Sequence, residues 1–288
     1  MIATPSFTEH FSTLAGDYDV VLSDVWGVIH NGVAATPAAC DALIRFRQKG
    51  GTVILITNAP RPGVVVTKFL DKLNVPRNAY DGIVSSGDVT RAVMAARPGK
   101  SVFHIGPERD LPIFDGLGLR FVPLEQADYV VCTGLRDDET ETPDTYRGEL
   151  GELRRRGLFM LCGNPDLVVE RGDKLVFCAG AIADLYGTLG GEVLYAGKPH
   201  RPIYDQALER VAGLRGGPAP LKRVLAIGDS VRTDLKGATD RGIDCLFVTA
   251  GIHAEELGER HDPDPAALRK IFDDAGIMPK AVARGLTW

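Results

Sequence analysis

Polar residues that suit metal and phosphate chemistry stand directly after three apolar runs of the sequence. Asp24 follows the first run, Thr57 and Asn58 end the second, and Asp229 follows a late one. Two carboxylates with a hydroxyl and an amide can hold a hard divalent ion and a phosphoryl group, because Mg²⁺ prefers oxygen ligands. A carboxylate can also act as a nucleophile and form an acyl phosphate. A lone carboxylate at a strand end often only caps the next helix. The prediction of a site therefore depends on three strand ends that all finish in polar residues.

The elements that must position these residues alternate between strand and helix. Thr36 and Pro37 suit the N-cap and first turn of a helix that Gly50-Gly51 ends. The apolar residues of a second helix fall on one face: Val66, Phe69, Leu70 and Leu73. Runs typical of buried parallel strands cover residues 19–24, 52–57, 223–229 and 243–248. This order predicts a Rossmann-like α/β core with a doubly wound, mainly parallel sheet, in which ligands bind outside the carboxyl ends of the strands.

The middle of the chain has its own strand and helix pattern. Strands are expected at residues 101–105, 127–132 and 158–162, a charged helix at 147–157 and a hairpin at 168–177 around Gly172-Asp173. These elements suffice for a second α/β domain inserted into the first. The predicted core domain therefore covers residues 1–86 and 193–288, and the predicted inserted cap domain covers 87–192.

Composition excludes several classes of protein. The chain has 288 residues and a formal net charge of −5, so no basic field points to nucleic acid. It contains no apolar run of about 18 residues that would span a membrane, and its first residues lack the pattern of a secretion signal. The five cysteines are widely spaced without a CxxC pair, which favours reduced, buried thiols in a cytoplasmic protein.

Four short segments resemble, in order, the motifs of the haloacid dehalogenase (HAD) superfamily of phosphohydrolases. They are residues 20–28, 56–60, 197–200 and 228–234. The combination of Thr-Asn, Gly-Lys-Pro and Gly-Asp-Ser-x-x-Thr-Asp is similar to the class IIA, NagD-like group, which carries a large α/β cap between its second and third motifs. Asn164-Pro165-Asp166 within the insert also resembles that group. The resemblance covers nearly the whole chain.

The resemblance implies a mechanism with assigned residues. Asp24 would attack phosphorus and become an aspartyl-phosphate. Mg²⁺ would be bound by Asp24, Asp229 and the main-chain carbonyl of Trp26, and Asp234 would hold the metal shell directly or through water. The resemblance thus implies an Mg²⁺-dependent phosphohydrolase.

The substrate is expected to be a small phosphorylated metabolite such as a sugar or nucleotide phosphate. Thr57 and the Asn58 region would bind phosphoryl oxygens, and Lys198 would neutralise the transferred charge. Arg61 could reach the substrate, although a solvated surface position explains it equally well. No nucleic acid or membrane partner is expected, and a homodimer formed through the cap stays open.

Trp26 departs from the pattern of the family. The phosphatase motif has a second aspartate two residues after the nucleophile, which protonates the leaving group and then activates water. An indole cannot perform either task. The first interpretation is a phosphatase in which another residue supplies the proton, with His30 as the candidate, although a histidine in a loop is more often solvated or structural. The second is a catalytically weakened phosphate-ester binding or regulatory protein.

A third interpretation is different chemistry on the same nucleophile. Branches of the superfamily that cleave carbon–phosphorus or carbon–halogen bonds also lack the second aspartate. The halide branch needs no Mg²⁺, and the retained Asp229 and Asp234 speak against it. The phosphonate branch uses a cap lysine as a Schiff base, and the sequence assigns none.

Overall fold

The computed structural model describes residues 6–171, 174–259 and 262–288. Within these residues the strands are β1 (Ser6–Phe7), β2 (Val20–Ser23), β3 (Thr52–Thr57), β4 (Gly82–Ser85), β5 (Ser101–Ile105), β6 (Arg120–Phe121), β7 (Tyr129–Cys132), β8 (Met160–Cys162), β9 (Val168–Arg171), β10 (Lys174–Phe177), β11 (Val193–Tyr195), β12 (Val224–Gly228), β13 (Asp244–Val248), β14 (Gly258–Glu259), β15 (Asp262–Pro263) and β16 (Ala281–Ala283). The α-helices are α1 (Ser12–Ala15), α2 (Pro37–Gln48), α3 (Gly63–Lys72), α4 (Ser86–Ala95), α5 (Arg147–Arg155), α6 (Ala179–Thr188), α7 (Arg201–Arg215), α8 (Lys236–Arg241) and α9 (Pro265–Ala275).

The chain divides into two compact units. The first unit comprises the described part of Met1–Thr57 together with Thr67–Val84 and Tyr204–Trp288. The inserted unit comprises Asn58–Val66 and Ser85–Ile203. The domain bounds at residues 86/87 and 192/193 stay a prediction from the sequence.

The first unit is built on a sheet that seven of the described strands form, in the order β1-β16-β13-β12-β2-β3-β4. The pairings from β1 through β3 are all parallel. Every residue of β2, β3 and β12 is buried, which is why these strands read as continuous apolar runs in the sequence. The α/β fold class with a mainly parallel sheet is confirmed.

Helix α2 shows how the first unit covers its sheet. Its buried face includes Ala39, Leu43 and Phe46, as the spacing predicts. Thr36 occupies the N-cap position, but its side chain makes no capping hydrogen bond. Gly51 lies against the Phe46 ring, where an added Cβ would be 2.3 Å from a ring carbon. This close approach keeps the turn from α2 into β3 tight.

The inserted unit has its own sheet, in the order β11-β8-β7-β5-β6, and all four pairings are parallel. Helices α5 and α6 contribute Leu150, Leu153, Ile182 and Tyr186 to a buried cluster against β7 and β8. Strands β9 and β10 pair antiparallel, as the predicted hairpin requires. The Gly172-Asp173 turn of that hairpin lies outside the described residues.

Several elements are shorter than the sequence predicts. The strand expected at 127–132 begins at Tyr129, because the Ala127 N–H closes a 3-10 turn on the Leu124 carbonyl. The strand expected at 158–162 begins at Met160, since the Leu158 N–H still bonds back to Leu153 at the end of α5. Hydrogen bonds of the preceding turn therefore delay each strand.

The five cysteines, all within the described residues, are buried and form no disulfide. Among the residues that the structure describes, no helix has the length and apolar character needed to cross a bilayer.

Candidate active site

Three carboxylates converge at the carboxyl edge of the first unit's sheet. Strands β2 and β12 are neighbours with Ser23 opposite Ile227, so the register brings Asp24 and Asp229 off adjacent strands at the same edge. Asp234 lies on a π-helical turn, Val231–Leu235, that follows β12. All three side chains are buried, and one carboxylate oxygen of each lies within 4.8 Å of the others. Asp24 and Asp229 are two of the strand-end residues that the sequence predicts to lie together, and their role in a site stays a prediction.

Main-chain hydrogen bonds fix the orientation of these carboxylates. Each accepts a main-chain N–H: Asp24 from Val25 at 2.7 Å, Asp229 from Ile252 at 2.8 Å and Asp234 from Ser230 at 3.2 Å. A carboxylate held in this way is oriented before any ligand arrives, so little side-chain freedom is lost on binding.

Two glycines permit the close packing around Asp229. A Cβ added at Gly27 would be 2.1 Å from Asp229 Oδ2, and one at Gly251 would be 1.8 Å from the same atom. Gly27 also has a φ of +86°, a backbone conformation that other residues rarely adopt. Its N–H donates to the His30 carbonyl, which closes the loop after β2. The sequence therefore needs glycine at position 27 for both space and backbone conformation.

Trp26 and His30 pack against each other on this loop. The half-buried indole lies against Gly32, where an added Cβ would be 2.6 Å from an indole carbon. The His30 ring meets the indole edge-on at 5.0 Å and the Phe69 ring at 5.5 Å. His30 Nδ1 accepts the Gly32 N–H at 2.9 Å. Burial lowers the pKa of His30 to about 4, so the imidazole is neutral near pH 7.

These contacts give His30 a packing role in the loop. Its assignment as acid or base stays a prediction, as does the Trp26 carbonyl as a metal ligand. Thr57 ends β3, where the pairing of Ser23 with Leu55 brings it to the same sheet edge as Asp24.

Asn58 and Lys198 are joined within the inserted unit. Asn58 Oδ1 accepts the Lys198 main-chain N–H at 2.7 Å, and Asn58 Nδ2 donates to the Lys198 carbonyl at 3.1 Å. Nδ2 also donates to Asp166 Oδ1 at 2.8 Å. Both amide donors of Asn58 are therefore engaged, and a hydrogen bond to a phosphoryl oxygen would have to come from the main chain of this segment. Sequence reasoning did not anticipate that Asn58 fixes the main chain of Lys198.

Nothing in the sequence indicates a partner for Arg61. Arg61 Nε lies 3.2 Å from Oδ1 of Asp110, a buried carboxylate located after β5. A buried carboxylate is stable only with hydrogen bonds or an opposite charge, and Arg61 supplies both to Asp110.

The structure divides the predicted site residues between the two units. Asp24, Asp229, Asp234 and Thr57 lie at one edge of the first unit's sheet, and Asn58, Arg61 and Lys198 belong to the inserted unit.

Replacing Asp229 by Asn is expected to weaken Mg²⁺ binding by about 10- to 100-fold, the loss seen even when an outer partner of a metal ligand is removed. The amide oxygen can still accept the Ile252 N–H, so the fold is retained while one negative charge is lost. Calorimetric titration with Mg²⁺ measures the change. Asp240→Asn is the matched control, because Asp240 is an exposed partner of Lys236. Unchanged affinity in Asp229→Asn would remove Asp229 from the ligand set.

Replacing Asn58 by Asp is expected to lower the free energy of unfolding by about 2–4 kcal/mol, because two buried donor interactions are lost and a carboxylate faces Asp166. Urea denaturation measures the loss. The control is Asn31→Asp, since the Asn31 side chain accepts hydrogen bonds from Val33 and Ala34, and a carboxylate can accept both. Equal stability of the two variants would contradict the role of the Asn58 amide.

Comparison with known proteins agrees with these features. The family described as haloacid dehalogenase-like hydrolase matches residues 21–120, and a HAD-hydrolase-like family matches residues 195–275. The solved structure of a haloacid dehalogenase-like hydrolase from Brucella suis 1330 is 48% identical, with a TM-score of 0.87, and the match covers 98% of this chain and 100% of that one.

Two curated relatives are more distant. D-glycerol 3-phosphate phosphatase of Mycobacterium tuberculosis is 26% identical over 247 residues, which cover 84% of this chain and 66% of the relative, so the chain spans just under two thirds of its length. Ribonucleotide monophosphatase NagD of Escherichia coli K12 is 23% identical, with 81% of this chain and 88% of the relative covered. On the strength of the Brucella relative, the two family matches and the shared motifs, the chain belongs to the haloacid dehalogenase-like hydrolases, in their NagD-like, class IIA group.

Proposed function

We propose that this hydrolase cleaves a small phosphate monoester, such as a sugar or nucleotide phosphate, with Mg²⁺ as cofactor and Asp24 as nucleophile. The observation that carries the proposal is the buried cluster of Asp24, Asp229 and Asp234, with oxygens within 4.8 Å of one another. The names of the two curated relatives, a glycerol 3-phosphate phosphatase and a ribonucleotide monophosphatase, support the substrate class.

The donor set of this cluster fits Mg²⁺. Three buried carboxylates so close together repel one another, and a divalent cation relieves that repulsion. All three side chains offer oxygen, the ligand type that Mg²⁺ prefers, and no softer sulfur or nitrogen ligand belongs to the cluster found among the described residues. Asp24, Asp229 and Asp234 would hold the ion, with the Trp26 carbonyl as a further ligand. When bound, the ion supplies the positive charge that lets an anionic carboxylate approach an anionic phosphate.

The chain's own residues perform the bond changes of the proposed reaction. A carboxylate oxygen of Asp24 forms a bond to phosphorus, the bond from phosphorus to the ester oxygen breaks, and the leaving oxygen takes up a proton from solvent water. A water oxygen then forms a bond to phosphorus and gives a proton to solvent, and the bond from phosphorus to the Asp24 oxygen breaks, which releases inorganic phosphate and restores the carboxylate. Thr57 would donate its hydroxyl hydrogen to a phosphoryl oxygen, and Lys198 would neutralise phosphoryl charge.

A second candidate function follows from Trp26. The position that carries the proton-transferring aspartate in related phosphatases here holds an indole, and the nearby His30 is buried with Nδ1 bonded to Gly32. Without positioned proton transfer the rate falls by about 10²–10⁴-fold. A protein that binds phosphate esters and turns them over slowly is therefore the alternative to an efficient phosphatase.

Turnover of p-nitrophenyl phosphate with and without Mg²⁺ tests the proposal. Its leaving group is a weak base and needs little help from an acid, so the protein is expected to release p-nitrophenol only when Mg²⁺ is present. Activity on this ester with none on glycerol 3-phosphate would favour the alternative and implicate Trp26. No release from either ester, by folded protein with saturating Mg²⁺, would reject the phosphohydrolase.

A further inference from the structure

The segment that follows β3 crosses the carboxyl edge of the inserted unit's sheet. Asn58 lies at the β11 end, where a Cβ on Gly197 would be 2.3 Å from Asn58 Oδ1. Pro60 lies at the β8 end, where a Cβ on Gly163 would be 3.6 Å from Pro60 Cβ. The Arg61 side chain reaches Asp110, which lies on the 3-10 helix after β5. The segment therefore spans the strand ends from β11 towards β5.

The main chain of Arg61 is held firmly by the start of α4. Ser85, the N-cap of α4, donates its hydroxyl hydrogen to the Arg61 carbonyl at 2.6 Å. Gly87 packs directly under Arg61, where an added Cβ would be 2.4 Å from the Arg61 carbonyl carbon and oxygen. The Gly87 N–H donates to the Ala59 carbonyl at 3.1 Å. The position of Arg61 is thus set before any substrate arrives.

A chain of polar contacts orients the Arg61 guanidinium. Asp110 is 3% exposed and lies 3.2 Å from Arg61 Nε, while the Arg61 side chain is 36% exposed. Thr133, which follows β7, hydrogen-bonds Asp110, and its Oγ1 is 2.9 Å from His104 Nε2. Burial lowers the pKa of His104 to about 4, so near pH 7 its neutral ring can donate to Thr133, and Thr133 to Asp110.

We propose that Arg61, oriented by Asp110, selects substrates whose leaving group carries its own anionic oxygens, a carboxylate or a second phosphate. Asp110 contacts the Nε side of the guanidinium, and a planar guanidinium presents further N–H donors in a fork that suits such oxyanions. Asp110 is the positioning residue and Arg61 the specificity residue.

Spacing along the sheet separates this role from binding of the transferred phosphoryl group. Lys198, which follows β11, takes that group in the proposed function, on which this inference rests. Thr133 and Asp110 follow β7 and β5, two and three strand spacings from β11, or about 10–14 Å. A single phosphoryl group is too small for that span. A small phosphorylated acid or a bisphosphate carries a second anionic group at its far end, and that group can lie nearer to Arg61.

Matched pairs of esters test the selection in the Mg²⁺-loaded protein. 3-Phosphoglycerate is compared with glycerol 3-phosphate, from which it differs by a carboxylate, and fructose 1,6-bisphosphate with fructose 6-phosphate. In at least one pair, the ester with the second anionic group, 3-phosphoglycerate or fructose 1,6-bisphosphate, is expected to have the higher kcat/KM. The pair in which this preference occurs tells whether Arg61 selects a carboxylate or a second phosphate. The preference is measured as the ratio of kcat/KM for the ester with the second anionic group to kcat/KM for its partner. Arg61→Gln is expected to reduce this ratio by about 10- to 100-fold, the contribution of one charge-assisted hydrogen bond.

Two further variants separate positioning from general damage. Asp110→Asn is expected to raise KM for the preferred anionic ester about tenfold with kcat unchanged, because the guanidinium loses its fixed orientation. Arg120→Gln is the matched control, since Arg120 bonds Ser101 at the amino end of β5. This variant should leave the ratio of the two kcat/KM values within about twofold of the wild type. A wild-type preference for both glycerol 3-phosphate and fructose 6-phosphate, or a ratio of kcat/KM values that Arg61→Gln leaves unchanged, overturns the inference.

Calorimetric binding of the same esters distinguishes failure of this inference from failure of hydrolysis. If no ester is turned over but 3-phosphoglycerate or the bisphosphate binds more tightly than its partner without the second anionic group, in an Arg61-dependent way, the proposed hydrolysis fails and the selection stands. If all four esters are hydrolysed without preference and bind equally, the selection fails and the proposed function stands.

Discussion

Asp24→Asn is expected to lower kcat for p-nitrophenyl phosphate by about 10⁴–10⁶-fold, the scale of loss seen when a nucleophile is removed from an enzyme. An amide oxygen does not form the bond to phosphorus that the proposed reaction requires, so no other residue of the cluster compensates. The amide can still accept the Val25 N–H that now bonds Asp24 Oδ1 at 2.7 Å. The variant should therefore fold and lose only the chemistry.

The measurement is steady-state release of p-nitrophenol with saturating Mg²⁺, beside thermal unfolding of the same samples. Asp41→Asn makes the same chemical change at an exposed partner of Arg45 and should retain full activity. Because Asp24→Asn removes one of three clustered buried charges, its unfolding temperature without Mg²⁺ should equal or exceed that of the wild type. A folded Asp24→Asn protein that keeps more than about a tenth of wild-type kcat would exclude Asp24 as nucleophile.

The meeting of Asp24 and Asp229 could be predicted from the sequence, because parallel strands end at a shared edge of the sheet. Once β2 and β12 are read as neighbouring buried strands, the residues after them must meet there, whatever the rest of the chain does. Asp234 lies five residues beyond Asp229, and only the resemblance of residues 228–234 to a family motif implies its place in the site. The meeting of Asp24 and Asp229 could therefore be expected from the apolar runs and from the polar residues directly after them.

The contacts of Asn58 and Arg61 could not be read from the sequence in the same way. Asn58 bonds Lys198, which is 140 residues away, and Arg61 bonds Asp110, 49 residues away. No periodicity or turn signal links such pairs, since only the path of the segment over the strand ends of the inserted unit brings them together. For the same reason, pattern alone could not show that residues 58–66 pack with the inserted unit.

His30 illustrates a different limit. A histidine beside Asn31 and Gly32 suggests an exposed turn, but the structure buries its ring against Trp26 and Phe69. The apolar pair Val28-Ile29 immediately before it, buried as well, was the available signal. Burial of this kind depends on which aromatic residues the fold brings nearby, and Phe69 comes from α3.

Trp26→Asp is expected to raise kcat for glycerol 3-phosphate by up to about 10²–10⁴-fold, the contribution of a positioned proton transfer. The substitution places a carboxyl group two residues after Asp24, where related phosphatases carry their acid and base. The gain should be smaller for p-nitrophenyl phosphate, because its leaving group departs without a proton. The comparison of the two esters therefore reports on proton transfer rather than on binding.

Packing of the indole opposes this gain and requires a matched control. Trp26 is half-buried against Gly32 and meets the His30 ring at 5.0 Å, so a small residue at position 26 is expected to lower the free energy of unfolding by about 1–3 kcal/mol. Trp26→Asn removes the same contacts and has nearly the same size as Trp26→Asp, but its side chain cannot exchange a proton near neutral pH. The two variants should be equally destabilised.

The ratio of kcat between Trp26→Asp and Trp26→Asn isolates the carboxyl group from the lost packing. A ratio of about 10² or more on glycerol 3-phosphate, with a smaller ratio on p-nitrophenyl phosphate, identifies proton transfer as the step that the wild-type chain lacks. A ratio near one on both esters, measured on folded proteins, rejects that account. The indole would then serve to shape the loop between Asp24 and His30, and slow turnover would be a property of the whole site rather than of one missing acid.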